Sequence, residues 1–204
     1  MPASERTETE GVDVANPWRV EGTASAFDCR YFEVRQDTVS LAGRPSQTYS
    51  SIRVRYFGVC ALPVDGQGRV ALIGQYRYVL DRFTWEVPGG GAAAGSDPLV
   101  TARMELEEET GWRARQWLKL VEAAVSPGTS SEVTPAYVAW DLEETRPADN
   151  EDELLSRRWV PFREAVDMAL LGQIGNLPGV AAILALETRF RRGDLPESLA
   201  RLLR

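Results

Sequence analysis

The chain contains no histidine. This absence excludes histidine bases, histidine metal ligands and Ser-His-Asp triads, and it removes the side chain that most often changes charge near neutral pH. Only two cysteines occur, Cys29 and Cys60, and their spacing is not that of metal ligands, so we interpret them as free thiols. Acid–base chemistry in this chain therefore falls to carboxylates.

Long apolar runs and positive charge are also scarce. No stretch reaches the ~18 apolar residues of a membrane span. Residues 1–16 are polar and acidic, unlike a signal peptide, and we expect them to be a disordered tail. With 30 acidic and 23 basic residues the net charge is −7, which argues against nucleic-acid binding. We therefore expect a cytoplasmic protein that binds a small molecule and neither nucleic acid nor membrane.

A capped helix is predicted shortly after a glycine-rich loop at residues 88–95. Asp97 is a good N-cap, and Pro98 suits the first helical position, where its missing N–H costs nothing. Gly111 fits the left-handed residue that ends a helix. The pattern predicts a helix from about Pro98 to Thr110.

Several carboxylates should share one face of this helix. Glu105 and Glu109 are four residues apart, and Glu108 lies beside them. An apolar stripe is predicted on the opposite face, formed by Leu99, Ala102 and Leu106. Like charges at this spacing repel each other, and binding of a hard cation such as Mg²⁺ or Mn²⁺ relieves the repulsion. Because the glycine-rich loop lets backbone groups approach an anion or metal closely, we favour a metal–phosphate site over a solvated acidic helix face.

Residues 90–112 resemble the signature of the Nudix hydrolase superfamily, G-x5-E-x7-R-E-U-x-E-E-x-G-U, in which U is bulky and apolar. Gly90 and Gly111 take the first and last glycines. The signature acids after the arginine are Glu105, Glu108 and Glu109. A motif matched at this many fixed positions is a specific signal.

Two positions depart from the signature. Ser96 stands where the family has its first glutamate, and Met104 stands where it has the arginine that orients the neighbouring acid. Losses of this supporting kind typically cost ~10–100-fold in metal affinity or activity. Two alternatives follow, namely a competent but slow enzyme, or a protein that binds a nucleotide sugar without turnover.

The flanking residues resemble the ADP-ribose pyrophosphatase-like branch of this superfamily. The tripeptide ending at Arg77 precedes the signature, and a Ser-Pro-Gly loop that includes Gly128 and ends at Glu132 follows it. The resemblance implies that Arg77, Glu86, Gly128 and Glu132 bind substrate. The implied reaction is metal-dependent hydrolysis of the pyrophosphate bond of ADP-ribose or a related nucleoside diphosphate sugar, which gives a nucleoside monophosphate and a sugar phosphate.

The resemblance also implies a metal set and a base. The metal ligands would be the carbonyl of Gly89 and the side chains of Glu105, Glu108 and Glu109, which also form the catalytic set. A water-activating base is expected in the later acidic loop, at Glu151 or Glu153. The cofactor would be Mg²⁺ or Mn²⁺.

The remaining sequence predicts an α/β protein with a mixed sheet between helices, as in the Nudix fold. Apolar–polar alternation predicts strands in both halves, and apolar periodicity predicts two helices after residue 160. We expect three regions, a tail at residues 1–16, an N-terminal strand region at 17–50 and a Nudix domain at 51–204. By resemblance, the strand region forms a homodimer.

Overall fold

The computed structural model describes residues 15–145 and 155–204. Within them, ten strands form three sheets. The N-terminal sheet is antiparallel and contains β1 (Trp18–Asp28), β2 (Phe32–Leu41) and β3 (Gln47–Val54). Every residue of β1 is exposed to solvent.

Two further sheets form the centre of the molecule. Their strands are β4 (Tyr56–Pro63), β5 (Arg69–Arg77), β6 (Arg82–Glu86), β7 (Gly89–Ala93), β8 (Trp112–Ala124), β9 (Val133–Glu144) and β10 (Ser156–Pro161). One sheet has the order β7-β4-β9-β8, and the other has the order β10-β5-β6. Because β4 and β9 run parallel while their other neighbours are antiparallel, the larger sheet is mixed.

Four α-helices complete the described part of the chain. They are α1 (Pro98–Thr110), α2 (Phe162–Leu170), α3 (Leu177–Arg192) and α4 (Glu197–Leu202). None of the helices in residues 15–145 and 155–204 is long and apolar enough to cross a membrane. The predicted fold class, a mixed α/β arrangement, is confirmed.

Two apolar clusters place the sheets against the helices. The larger lies between the two central sheets and α2 and α3, and includes the fully buried Leu62, Leu72 and Leu186. The smaller packs α1 onto the mixed sheet through Ala102 and Leu106. Burial of apolar surface of this kind contributes roughly 25 cal/mol per Å² to folding, so α1 is firmly attached to β4 and β7.

Helix α1 begins and ends at the predicted residues. The Asp97 carboxylate accepts a hydrogen bond from the Leu99 N–H at 2.9 Å, and Gly111 is left-handed with φ 76°. The predicted separation of acidic and apolar faces is wrong for one residue. Glu109 is seven residues after Ala102 and three after Leu106, so it continues the buried stripe and is only 6% exposed.

Candidate active site

A cavity of about 830 Å³ lies between α1, β4, β7 and the β5–β6 hairpin. Its charged lining consists of one arginine and four glutamates, namely Arg77, Glu86, Glu105, Glu109 and Glu132. The backbone of Gly89 also lines it. The cavity therefore brings together six of the residues that the sequence predicts for the site, from segments far apart in the chain.

Glu109, on the α1 side of the cavity, is held by hydrogen bonds from two strands. Its Oε2 atom accepts a hydrogen bond from the Gly89 N–H at 2.8 Å. Its backbone carbonyl oxygen accepts another from Nε of Arg157, a residue of β10. Glu109 is thus anchored through both its carboxylate and its main chain.

The glycines of β7 permit this arrangement by their lack of side chains. A Cβ atom on Gly90 would lie 2.1 Å from Oε1 of Glu105, and one on Gly89 would lie 2.2 Å from the carbonyl oxygen of Val59. Contacts this short do not occur, so any larger residue would displace the Glu105 carboxylate or the neighbouring strand. The glycine-rich segment is therefore a requirement of close packing around the acids.

The β5–β6 side of the cavity holds Glu86 through side chains. Arg77 donates from Nε and from one terminal nitrogen to the two carboxylate oxygens of Glu86, both at 2.8 Å, and the Thr84 hydroxyl donates at 2.6 Å. Burial opposes ionisation of Glu86, but the hydrogen bonds from Arg77 and Thr84 outweigh it and lower its pKa. Glu86 is therefore a carboxylate at neutral pH.

The third side of the cavity is formed where β4 and β9 begin. Oε1 of Glu132 accepts a hydrogen bond from the Gly58 N–H at 3.0 Å. Thr134, 5% exposed, lies next to it, and among the described residues its hydroxyl has no hydrogen-bond partner. The same holds for Oδ1 of Asn176, which also lines the cavity. Buried polar atoms without partners are rare in proteins, so this side favours a polar ligand.

Cys60 lines the cavity but is not a nucleophile. Burial, and then the nearby charges of Glu86, Glu109 and Glu132, raise the pKa of its thiol to about 12. The thiol is therefore protonated at neutral pH, which disfavours thiol attack.

Other predicted residues do not meet at this cavity. Glu108 is partly exposed and is absent from the cavity lining, and the Gly128 carbonyl accepts a hydrogen bond from the Tyr49 hydroxyl at 2.7 Å outside it. Glu151 and Glu153, the predicted bases, lie outside the described residues.

The two departures from the signature lie at the surface. Ser96 is exposed and its hydroxyl donates to the Ala93 carbonyl at 2.7 Å. Met104 is 55% exposed. Neither side chain is packed in the core, so both positions can be changed without loss of packing.

Sequence reasoning missed several residues of the site. Thr84 lies two residues from Glu86 on β6, and Thr134 lies two residues from Glu132 at the start of β9. Because side chains two residues apart on a strand share a face, the alternation of the sequence could have predicted both threonines. Gly58 and Arg157 carried no such signal, because their roles depend on which strands become neighbours.

The residues of the cavity fit a hard divalent cation. Within residues 15–145 and 155–204, no three acidic or cysteine side chains are arranged to hold a metal. Glu105 and Glu109 nevertheless border the cavity beside the bare backbone of Gly89 and Gly90. One or two carboxylates, completed by carbonyl, water and phosphate oxygens, is the ligand set that Mg²⁺ commonly takes.

Comparison with known proteins identifies the family of this chain. The NUDIX domain family matches residues 54–180. An ADP-ribose pyrophosphatase of Mycobacterium tuberculosis is 36% identical over 159 residues, which cover 76% of each chain. A CMP-5'-(N-acetyl-N-hydroxy-3-aminopropyl)phosphonate hydrolase of Streptomyces rubellomurinus is 30% identical over 173 residues, 83% of each chain. Among solved structures, an ADP compounds hydrolase superposes with a TM-score of 0.78 at 17% identity, covering 89% of this chain and 98% of that one.

The chain therefore belongs to the Nudix family. Within the family it groups with the ADP-ribose pyrophosphatase-like branch, and it is a Nudix-type diphosphatase. The resemblance predicted from the sequence is confirmed.

Proposed function

We propose that the protein hydrolyses the pyrophosphate bond of ADP-ribose or a related nucleoside diphosphate sugar with the help of Mg²⁺ or Mn²⁺. The products are a nucleoside monophosphate and a sugar phosphate. The observation that carries the proposal is the convergence of Glu105 and Glu109, beside the glycine backbone, with Arg77 around one cavity. Its volume of about 830 Å³ lies within the ~300–1,000 Å³ of small-molecule sites.

Arg77 is placed to bind a phosphate oxygen of the substrate. Its bidentate pairing with Glu86 fixes the plane of the guanidinium group, and a guanidinium held in place loses little entropy when it binds phosphate. The Glu86 carboxylate would therefore act through Arg77, by orienting it.

The cation would be held by Glu105, Glu109 and the Gly89 carbonyl, with Glu108 the remaining predicted ligand. When bound there, a divalent cation offsets the charge of the pyrophosphate and lowers the pKa of a coordinated water. Glu109 holds its carboxylate at the cavity through the Gly89 N–H. Glu151 and Glu153 stay the predicted bases for the attacking water.

Assembly and location are further parts of the proposal. The N-terminal region 17–50 carries exposed apolar side chains, among them Val20, Phe27 and Tyr31 at 55–58% exposure, which suit an interface with a second copy. Free Cys29 and Cys60 suit a reducing compartment such as the cytoplasm. Light scattering of the purified protein tests the homodimer.

The experiment that tests the activity is a substrate panel. The protein is incubated with Mg²⁺ or Mn²⁺ and ADP-ribose, GDP-mannose, UDP-glucose or a dinucleotide, and the products are separated by chromatography. We expect a monophosphate from at least one substrate, lost on chelation and in Glu109→Gln. Glu107→Gln, on the outer side of the same helix, is the matched control and should retain turnover.

Because Ser96 and Met104 replace signature residues, the same substrate panel also tests whether the protein binds a ligand without cleaving it. A compound that raises the melting temperature without being cleaved would contradict the proposed hydrolysis of that compound and favour ligand binding without turnover. Release of a monophosphate that persists in Glu109→Gln would contradict the assigned site.

A further inference from the structure

We propose that Arg157 is a positioning residue for Glu109. Arg157 anchors the end of α1 to β10 and thereby keeps the Glu109 carboxylate directed into the cavity. The contact that carries this inference is the hydrogen bond from Nε of Arg157 to the backbone carbonyl oxygen of Glu109. The same glutamate accepts the Gly89 N–H on its carboxylate. Its backbone and its side chain are thus fixed by two different strands, β10 and β7.

The end of α1 needs such an anchor for electrostatic reasons. The last carbonyl groups of a helix lack partners within the helix, and this end carries the negative pole of the helix dipole. Here the last six helical residues include four glutamates, and the last turn contains no basic residue. Gly111 donates to the Glu107 carbonyl and the Thr110 hydroxyl donates to the Leu106 carbonyl. Arg157 satisfies the Glu109 carbonyl and brings positive charge that the helix itself does not supply.

The position of Arg157 in its sheet explains why this anchor matters for the cavity. Arg157 is the register partner of Ile73 on β5, and Ile73 is the register partner of Glu86 on β6. Residues on one rung of an antiparallel sheet point to the same face, with neighbouring strands about 4.8 Å apart. Arg157 therefore ties the backbone of Glu109 to the rung that carries Glu86. The link sets how the acids on the two sides of the cavity lie relative to each other.

A second arginine, Arg113 of β8, contacts the same end of α1 and provides a matched control. Arg113 donates to the carboxylate of Glu107 at 2.7 Å, with side-chain exposures of 65% and 29%. Neither residue lines the cavity. Replacing Arg113 thus removes a cation from the acidic end of α1 without touching the support of Glu109.

The first test needs neither substrate nor metal. Hydrogen exchange of the Gly89 amide is followed by NMR in metal-free wild type, Arg157→Met, Arg157→Lys and Arg113→Met. If Arg157 positions Glu109, Arg157→Met should speed exchange at Gly89 by about tenfold or more, because the Glu109 acceptor is released. Arg157→Lys, which keeps a charged donor, should restore protection, and Arg113→Met should match wild type. Equal protection of Gly89 in all four proteins would overturn the inference.

The second test concerns function and rests on the proposed hydrolysis. Mn²⁺ alone is titrated by calorimetry, and turnover of ADP-ribose is measured for the same variants. We expect Arg157→Met to weaken Mn²⁺ binding and lower kcat by about tenfold with KM unchanged, and Arg113→Met to change neither. Should Arg157→Met fail to fold, Arg157→Gln against Arg113→Gln gives the same comparison, because glutamine keeps the polarity of these exposed positions but lacks the guanidinium group. A wild-type protein that cleaves nothing would contradict the proposed function, whereas the role of Arg157 would still be decided by the exchange rate of the Gly89 amide.

Discussion

The two sides of the cavity hold their buried carboxylates by different means. On the α1 side, backbone groups contribute to holding them, since Glu109 accepts the Gly89 N–H and Glu105 lies against the bare Cα of Gly90. On the β5–β6 side, side chains do it, since Glu86 accepts from Arg77 and Thr84. Both sides achieve burial of an acid, but a backbone N–H carries no formal charge whereas a guanidinium does.

This difference separates two roles. The Arg77 pair offsets the charge of Glu86 within the protein, which suits a carboxylate whose task is to orient its partner. The Gly89 contact directs Glu109 without contributing a positive charge, which suits a carboxylate whose task is to attract a cation. We therefore expect activity to be sensitive to side chains added at the glycines of the α1 side. We expect the contribution of the β5–β6 side to stability to depend on pH.

The largest effect is expected from one methyl group on the α1 side. Gly90→Ala would place its Cβ 2.1 Å from Oε1 of Glu105 and displace that carboxylate, so we expect kcat/KM to fall by about 10–100-fold. Gly91→Ala is the matched control, because a Cβ there meets its nearest atom, Cβ of Tyr56, at an ordinary 3.7 Å. If both variants lose activity equally, tight packing at Glu105 is not the cause.

The second-largest effect is expected to be a gain in turnover, from restoring the two missing signature residues on the α1 side. The double substitution Ser96→Glu with Met104→Arg restores the two signature residues at positions that are exposed in the structure. We expect turnover to rise by roughly tenfold, because supporting groups of this kind act by orienting metal ligands. Steady-state kinetics with each single substitution as control measures it. No rise would show that the two departures do not limit this enzyme.

The contrast between the sides also shows what sequence reasoning can reach. Helix α1 was predictable to the residue because its ends are set by local chemistry, in Asp97 and Gly111. The burial of Glu109 was not, because the packing of α1 on β4 and β7 decides which face is covered. Arg157 lies 48 residues from Glu109, and only strand order brings them together. Local signals thus predicted the helix that carries Glu105 and Glu109, while strand order and packing decided how these acids are held.

The pH effect is expected on the β5–β6 side. The pKa of Glu86 is lowered in the folded protein below its ordinary value of 4.5, so the folded state binds fewer protons than the unfolded state at mildly acidic pH. Its contribution to the free energy of unfolding is therefore present above the unfolded pKa and is lost as pH falls through the folded one. Glu86→Gln should lose less stability than wild type between about pH 6 and about pH 3 in urea unfolding. Parallel losses would contradict the role assigned to this pair.

The smallest effect compares two buried threonines of the cavity. Thr84 and Thr134 are both 5% exposed, but the Thr84 hydroxyl donates to Glu86 at 2.6 Å, whereas the Thr134 hydroxyl has no partner among the described residues. A hydrogen bond to a charged group contributes about 1.5–3 kcal/mol, so Thr84→Val, which leaves Glu86 paired with Arg77 alone, should lower the free energy of unfolding by about that amount. Thr134→Val removes a hydroxyl that makes no bond, and should leave the stability of the ligand-free protein unchanged or raise it by about 1 kcal/mol. Equal losses in the two variants would mean that the Thr134 hydroxyl is hydrogen-bonded in the free protein, and that this side of the cavity, like the other two, is already satisfied before a ligand arrives.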